Sequence, residues 1–356
     1  MRVVVGLSGG VDSSVAALLL KEQGHEVIGV FMNNWEEADE SGACSAERDW
    51  QDAGRVAEDI GIPYYGVNFA QAYRERVFAH FLEEYRRGRT PNPDVLCNRE
   101  IKFGELLTYA LGLGADKLAT GHFAGVEERG RTHHLVCARD GGKDQTYFLY
   151  MLDQGQLGRA MFPLRDIPKK EVRRIAEQKG LPVFDKKDST GVCFIGERNF
   201  KPFLMQYLPA RPGDMVTPEG EVVGRHDGLM YYTLGQRRGL GIGGGGNGGR
   251  WFVLEKDLEN NRLVVVQDES HPGLFRREAR CLDASWTLGR SPAEAGETFA
   301  CRVRLRHRQP LQEARLTVEG KGCFALEFAE EQRAVTPGQS AVIYNEGECL
   351  GGGVIQ

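Results

Sequence analysis

Apolar residues fall in short unbroken runs through the first third of the chain and in alternating positions through the last third. Runs of strand length occupy residues 3–7 (Val-Val-Val-Gly-Leu), 27–32 (Val-Ile-Gly-Val-Phe-Met), 64–69 and 117–120. Between them, residues 15–23, 45–60, 71–87 and 101–113 have helical composition and periodicity. Continuous apolar strands alternating with helices predict an α/β unit with a parallel sheet covered on both faces. Ligands of such sheets sit beyond the carboxyl ends of the strands, which places Ser8-Gly9-Gly10, Met32 and Gly121-His122 around one pocket. The pattern changes after about residue 145: residues 166–180 read as a basic amphipathic helix and 199–208 as a shorter one. From residue 213 onward come short β runs at 228–233, 251–255, 262–266, 301–308, 314–318, 325–328 and 340–344, separated by Gly, Pro and Asp turns. That spacing predicts a barrel or sandwich. Eight of the eleven residues at 239–249 are glycine, which predicts a mobile loop.

Composition narrows the class. The 356 residues correspond to two or three domains at about 150 residues each. A hydrophobic share of 41% and a charged share of 27% exclude both disorder and a small disulfide-stapled scaffold. No stretch approaches the roughly 18 apolar residues that span a bilayer, and Met1-Arg2-Val3-Val4-Val5 enters a strand at once, with no leader pattern ahead of it. With 45 basic and 50 acidic residues the net charge is −5, so any polyanion site must come from local clustering. The eight cysteines, at 44, 97, 137, 193, 281, 301, 323 and 349, never form a C-x-x-C pair. A zinc ribbon and a thioredoxin-type pair are therefore not encoded locally, and the usage reads as free thiols in a reducing cytoplasm.

The densest chemistry lies between the first strand and the first helix. Gly6 and Leu7 lead into Ser8-Gly9-Gly10-Val11-Asp12-Ser13-Ser14. Glycines let backbone N–H groups converge on an anion, the serines add hydroxyls, and the helix N-terminus adds its dipole. No Gly-Lys-[Ser/Thr] follows, so this is not a Walker A loop. Without that lysine to grip a transferring γ-phosphate, a pyrophosphate leaving group suits the site better, with Asp12 placed to hold Mg²⁺ on the phosphates.

The loop resembles that of the ATP pyrophosphatases, which cleave ATP to AMP and pyrophosphate by adenylating an oxygen. Three more segments narrow the likeness: Thr90-Pro91-Asn92-Pro93-Asp94-Val95-Leu96-Cys97-Asn98, Asp188-Ser189-Thr190-Gly191-Val192-Cys193-Phe194-Ile195-Gly196, and Tyr232-Thr233-Leu234-Gly235-Gln236-Arg237-Arg238-Gly239-Leu240. Together they are similar to the bacterial tRNA-specific 2-thiouridylases of the MnmA type, over essentially the whole chain. The resemblance implies a Rossmann-like, ATP-binding catalytic domain at 1–160, a small mixed tRNA-binding domain at 161–225 and a C-terminal β-barrel at 226–356. It also implies thiolation of the wobble uridine of tRNAs such as those for Lys, Glu and Gln. ATP would bind through Gly6, Leu7, Ser8, Gly9, Gly10, Val11, Asp12, Ser13, Met32 and Gly121, with Mg²⁺ on Asp12.

Sulfur insertion needs an activated C2 oxygen and a sulfur nucleophile. Cys97 and Cys193 both sit among turn formers and near cations (Arg86, Arg87, Arg89 and Arg99; Lys186, Lys187 and Arg198), which reads as loop thiols of the kind that ionise. By resemblance, Cys193 carries a persulfide received from a sulfurtransferase or cysteine-desulfurase relay. Cys97 is the nucleophile that releases the sulfur and closes a disulfide with it, and Asp12 assists adenylation. The same two thiols with Asp94 also suit an iron–sulfur cluster, and spacing leaves both readings open. The other six cysteines read as small apolar fillers. Period-2 alternation over 301–308 predicts Arg302, Arg304, Arg306 and Arg308 on one strand face, an anion-seeking arrangement. The resemblance adds Asn92, Pro93, Asp94, His122, Lys143, Asp144, Gln145, Arg306, His307 and Gln339 as tRNA contacts, with the target base flipped out of its stack. Two other readings remain open: an amidotransferase-like synthetase with the same phosphate loop, and a non-catalytic tRNA-binding protein.

Overall fold

The computed structural model describes residues 1–36, 45–187, 200–243, 249–320 and 322–356. Its first sheet is five-stranded, with β1 (Arg2–Gly6), β2 (Glu26–Asn33), β3 (Tyr64–Asn68), β4 (Lys117–Ala119) and the short Ala160–Met161 strand in the order β3-β2-β1-β4-(Ala160–Met161). All four neighbour pairings are parallel. Val3, Val4 and Val5 are fully buried, as unbroken apolar strands require when both faces are covered. Helices α1 (Val11–Glu22) and α2 (Ser45–Ile60) cover one face. The Lys169–Gln178 helix joins that face through Val172 and Ala176. Because β2 and β4 flank β1 on opposite sides, the carboxyl end of β1 is the switch point of the sheet, where a crevice opens.

A second sheet of four strands runs from Gly213 to Val266. The third closes on itself: Phe275–Trp286 pairs with Cys323–Arg333 on one side and with Glu348–Ile355 on the other, making a six-stranded barrel with Gln312–Gly320, Thr298–Arg304 and Ser340–Asn345. A hairpin from the first half, Ala124–Arg129 with Thr132–Cys137, extends the barrel sheet through Val136 opposite Glu348. The α/β, mixed and barrel parts are therefore all present, as expected.

Several local expectations differ. Boundaries at 160/161 and 225/226 each cut through a strand, Ala160–Met161 and Val222–His226; the sheets instead leave breaks ahead of Gly213 and between Val266 and Phe275. Residues 228–233 hold a 3₁₀ turn at Leu229–Tyr231 in place of a strand, because Gly228 at φ 150° turns the chain. The strand at 348–355, with Gly351-Gly352-Gly353, carries no strand signal in its sequence. Those glycines serve a close approach: a Cβ at Gly351 would sit 2.2 Å from the Ser285 carbonyl oxygen. The strand expected at 301–308 stops at Arg304, so four arginines do not share a face. Part of the glycine-rich run, residues 244–248, lies outside the described residues.

Candidate active site

The loop leaving β1 sits at the switch point. Gly9 takes φ 70°, and a Cβ there would fall 2.5 Å from the Asp49 carbonyl oxygen of α2, so glycine is required on both counts. Gly10 caps α1 with no side-chain hydrogen bond, leaving the first-turn amides to face an anion. Across the crevice, Gly121 follows β4, and a Cβ there would lie 2.6 Å from the Ser13 nitrogen.

The serines are used differently from expectation. Ser13 Oγ accepts from the Ser8 amide at 3.1 Å and donates to the Gly10 carbonyl at 3.2 Å, while Ser14 Oγ donates to the same carbonyl at 2.8 Å. Both are buried, so they shape the loop and leave the anion to backbone amides and to the exposed Ser8. Leu7 and Val11 lie in the core and have only backbone to offer. Met32, half-buried at the end of β2, packs against two clusters.

Two lysines frame the loop, and neither was legible as part of it. Lys169 Nζ donates to both carboxylate oxygens of Asp12, at 2.6 and 2.7 Å, with its side chain only 10% exposed. The cation missing from the loop sequence is thus supplied from a helix 157 positions later. Lys186 reaches the opposite side, to Gly9, Asp49 and Asp52. The Cys193 thiol, beside which Lys186 was expected as a flanking cation, lies outside the described residues. Asp12 as a lone carboxylate fits what a nucleotide-bound Mg²⁺ takes from protein, once shared with or released by Lys169.

Cys97 is not in a loop. Asn92 leads into a helix with Pro93 at its first position, where a missing N–H costs nothing, and the helix continues as a π-helical stretch over Cys97–Leu106. The Pro and Asn that read as turn formers are a helix start. Cys97 is fully buried in a cluster with Trp35, Tyr73, Phe78 and Phe203. Cys193, in 188–199, and Cys44, in 37–44, both lie outside the described residues. Among the described residues no group of three His, Cys, Asp or Glu side chains is arranged to hold a metal. Cys281, Cys301 and Cys349 are buried fillers. Burial pushes the Cys301 thiol up to about 12 and that of the half-buried Cys137 to about 11.

Profiles of three domain families match in succession: the tRNA methyl transferase HUP domain over residues 1–197, the tRNA methyl transferase PRC-barrel domain over 201–267, and the aminomethyltransferase β-barrel domain over 276–355. The chain is 56% identical over 354 residues to the tRNA-specific 2-thiouridylase MnmA of Halalkalibacterium halodurans, covering 99% of this chain and 94% of that one. It is 55% identical to that of Bacillus subtilis, with the same coverage. With the Chromobacterium violaceum protein of the same name it shares 57% over 359 residues, 100% of this chain and 92% of that one. The chain belongs to the tRNA-specific 2-thiouridylase family. A solved 4-thiouridine synthetase–RNA complex with bound ATP aligns over 58% of this chain and 50% of that one at 20% identity and a TM-score of 0.36, too weak a likeness to add to this. No helix among the described residues is long and apolar enough to cross a membrane.

In this 2-thiouridylase, four of the residues expected at tRNA gather around Tyr147, in the core shared by the first sheet and the barrel sheet. The Tyr147 hydroxyl donates to the Ser340 carbonyl at 3.0 Å and is hydrogen-bonded with the Asn92 side chain. The His307 ring lies 4.5 Å from Phe148 and 6.3 Å from Tyr147. Arg306 donates to Ala334 O at 2.9 Å and Thr336 Oγ1 at 3.1 Å. Gln339 donates to Thr90 O at 2.7 Å. Burial lowers the pKa of both His307 and Arg306. Pro93 is buried, whereas Asp94 and Lys143 are half-buried.

Three neighbours are occupied otherwise. Asp144, 2% exposed, accepts from Arg304 Nη1 at 2.6 Å, Thr146 Oγ1 at 2.8 Å and the Ala138 amide at 3.0 Å. Its expected role as a tRNA contact is therefore corrected to an internal ion pair, and Arg304 leaves the basic face for the same reason. Gln145 accepts from the Phe123 amide at 2.9 Å, bracing the turn after β4. His122 shares a 2.7 Å hydrogen bond with Thr120, and burial together with Lys102 keeps its pKa well below the ordinary value, so the ring is neutral at pH 7.

Proposed function

We infer that this chain is an ATP-dependent tRNA sulfurtransferase that exchanges the C2 oxygen of a uridine for sulfur. Family membership over the full length carries this reading, and the Ser8–Ser14 loop at the sheet's switch point gives it a physical basis. The uridine O2 attacks the α-phosphorus of ATP, the bond to pyrophosphate breaks, and pyrophosphate leaves. Sulfur then adds at C2, the C2–O bond breaks, and AMP carries the oxygen away. Loop amides orient the phosphates, and Lys169 beside Asp12 places positive charge where negative charge gathers on the departing pyrophosphate. Asp12 would hold magnesium, which when bound would supply further charge neutralisation on the phosphates.

For sulfur delivery, Cys193 is the persulfide carrier, loaded by a desulfurase relay. Cys97 attacks its inner sulfur, forming the Cys97–Cys193 disulfide and releasing the outer sulfur as sulfide; a thiol reductant then reopens the disulfide. The target is the wobble uridine of tRNAs such as those for Lys, Glu and Gln, with Asn92, His307, Arg306 and Gln339 on the tRNA side. The test is mass spectrometry of the wobble nucleoside after incubation with ATP, Mg²⁺, a sulfur source and unmodified tRNA. One oxygen-to-sulfur exchange is expected, with AMP formed only when tRNA is present. AMP formation on a small carboxylate without tRNA would favour the synthetase reading instead. Lys169→Met is expected to slow tRNA-dependent AMP formation on the order of a hundredfold, as for loss of one preorganised donor. An unchanged rate in a rapid-quench assay would remove Lys169 from the site.

A further inference from the structure

Lys186 lies outside the chemistry assigned above, yet it touches the phosphate loop from behind. Its Nζ is 2.9 Å from the Gly9 carbonyl oxygen, 2.8 Å from Asp49 Oδ1 and 2.6 Å from Asp52 Oδ2. Asp49 and Asp52 both belong to α2, and the Gly9 Cα is wedged against the Asp49 backbone. Partial burial alone would lower the Lys186 pKa, but the two carboxylates outweigh it and raise it above the ordinary value, so the ammonium stays charged.

A trans peptide is planar, and its C=O and N–H point in opposite directions. A cation that holds the Gly9 carbonyl toward α2 therefore turns the Gly10 N–H the other way. Gly10 is the N-cap of α1, so that amide stands beside the helix-start donors that greet an anion. The charge on the carbonyl also polarises the peptide and strengthens its N–H as a donor.

We propose that Lys186 is a positioning residue that sets the anion-binding geometry of the phosphate loop through the Gly9 carbonyl. This rests on the nucleotide reading of the loop and is measurable by ATP binding without tRNA or turnover.

The measurement is calorimetric titration of the full chain with ATP and Mg²⁺. Lys186→Met is expected to bind on the order of tenfold more weakly, the scale of a single coupling interaction. Lys186→Arg keeps charge and reach and is expected to restore binding to within about threefold. Equal affinity of Lys186→Met and wild type overturns the proposal. A further variant, Lys186→Gln, keeps a neutral donor and so serves where Lys186→Met fails to fold. It is expected to bind about threefold more weakly than wild type, and wild-type affinity in Lys186→Gln overturns the proposal. Absence of ATP binding by the wild type would instead overturn the nucleotide reading itself.

Discussion

Cys97→Ser is expected to lower tRNA thiolation at least a thousandfold while ATP still binds. The step assigned to Cys97 needs a thiolate, and a hydroxyl neither ionises near pH 7 nor forms the disulfide that releases the sulfur. The loss is therefore chemical and not a matter of degree. Cys97 is fully buried among aromatic side chains, so Cys97→Ala, which introduces no polar atom, is the control that the loss is chemical. Both variants are expected to lose thiolation and to keep ATP binding. Mass spectrometry of the wobble nucleoside and calorimetric ATP binding read the two arms; wild-type thiolation by either variant would discard the role. Burial also implies that the sulfur is uncovered only during turnover, so iodoacetamide is expected to label Cys97 faster with tRNA bound than without.

Asp144→Ala is expected to destabilise the protein by about 3–5 kcal/mol, the range for leaving one member of a buried ion pair alone. Arg304 would lose its 2.6 Å partner while staying 8% exposed, with its Nε already lacking a hydrogen-bond partner among the described residues. The pair joins the turn before Tyr147 to the barrel strand Thr298–Arg304, so the damage reaches the junction where Asn92 and His307 lie. Urea unfolding gives the measurement. Removing both charges, with Asp144→Ala and Arg304→Met together, is expected to recover much of the loss, because no uncompensated charge remains. A single-variant cost below about 1 kcal/mol would mean that water reaches the pair and that it contributes as a surface bridge does.

Legibility tracked how local each constraint is. The strands of the parallel sheet announce themselves as apolar runs because both faces are covered, and α2 falls at residues 45–60 as periodicity places it. The phosphate loop was readable because positive φ and close backbone approach demand glycine at positions such as Gly9. Cys97 shows the opposite failure. Pro and Asn mark a turn in one context and a helix start in another, and only the packing around Trp35 and Tyr73 decides between them. The alternation over 301–308 failed because a strand ends where its pairing ends: the neighbouring strand Ser340–Asn345 pairs no further than Arg304.

From residue order alone came the α/β start, the β-rich end and the anion loop, all set by periodicity and backbone preference over a few positions. Folding in three dimensions decided which charges meet. Lys169 against Asp12, Lys186 against Gly9 and Arg304 against Asp144 are each separated by more than 150 positions. Coulomb attraction depends on distance in space and leaves no periodic trace along the chain. Such pairs exist only once the helix at Lys169–Gln178 has docked on α1 and the barrel has closed beside the first sheet.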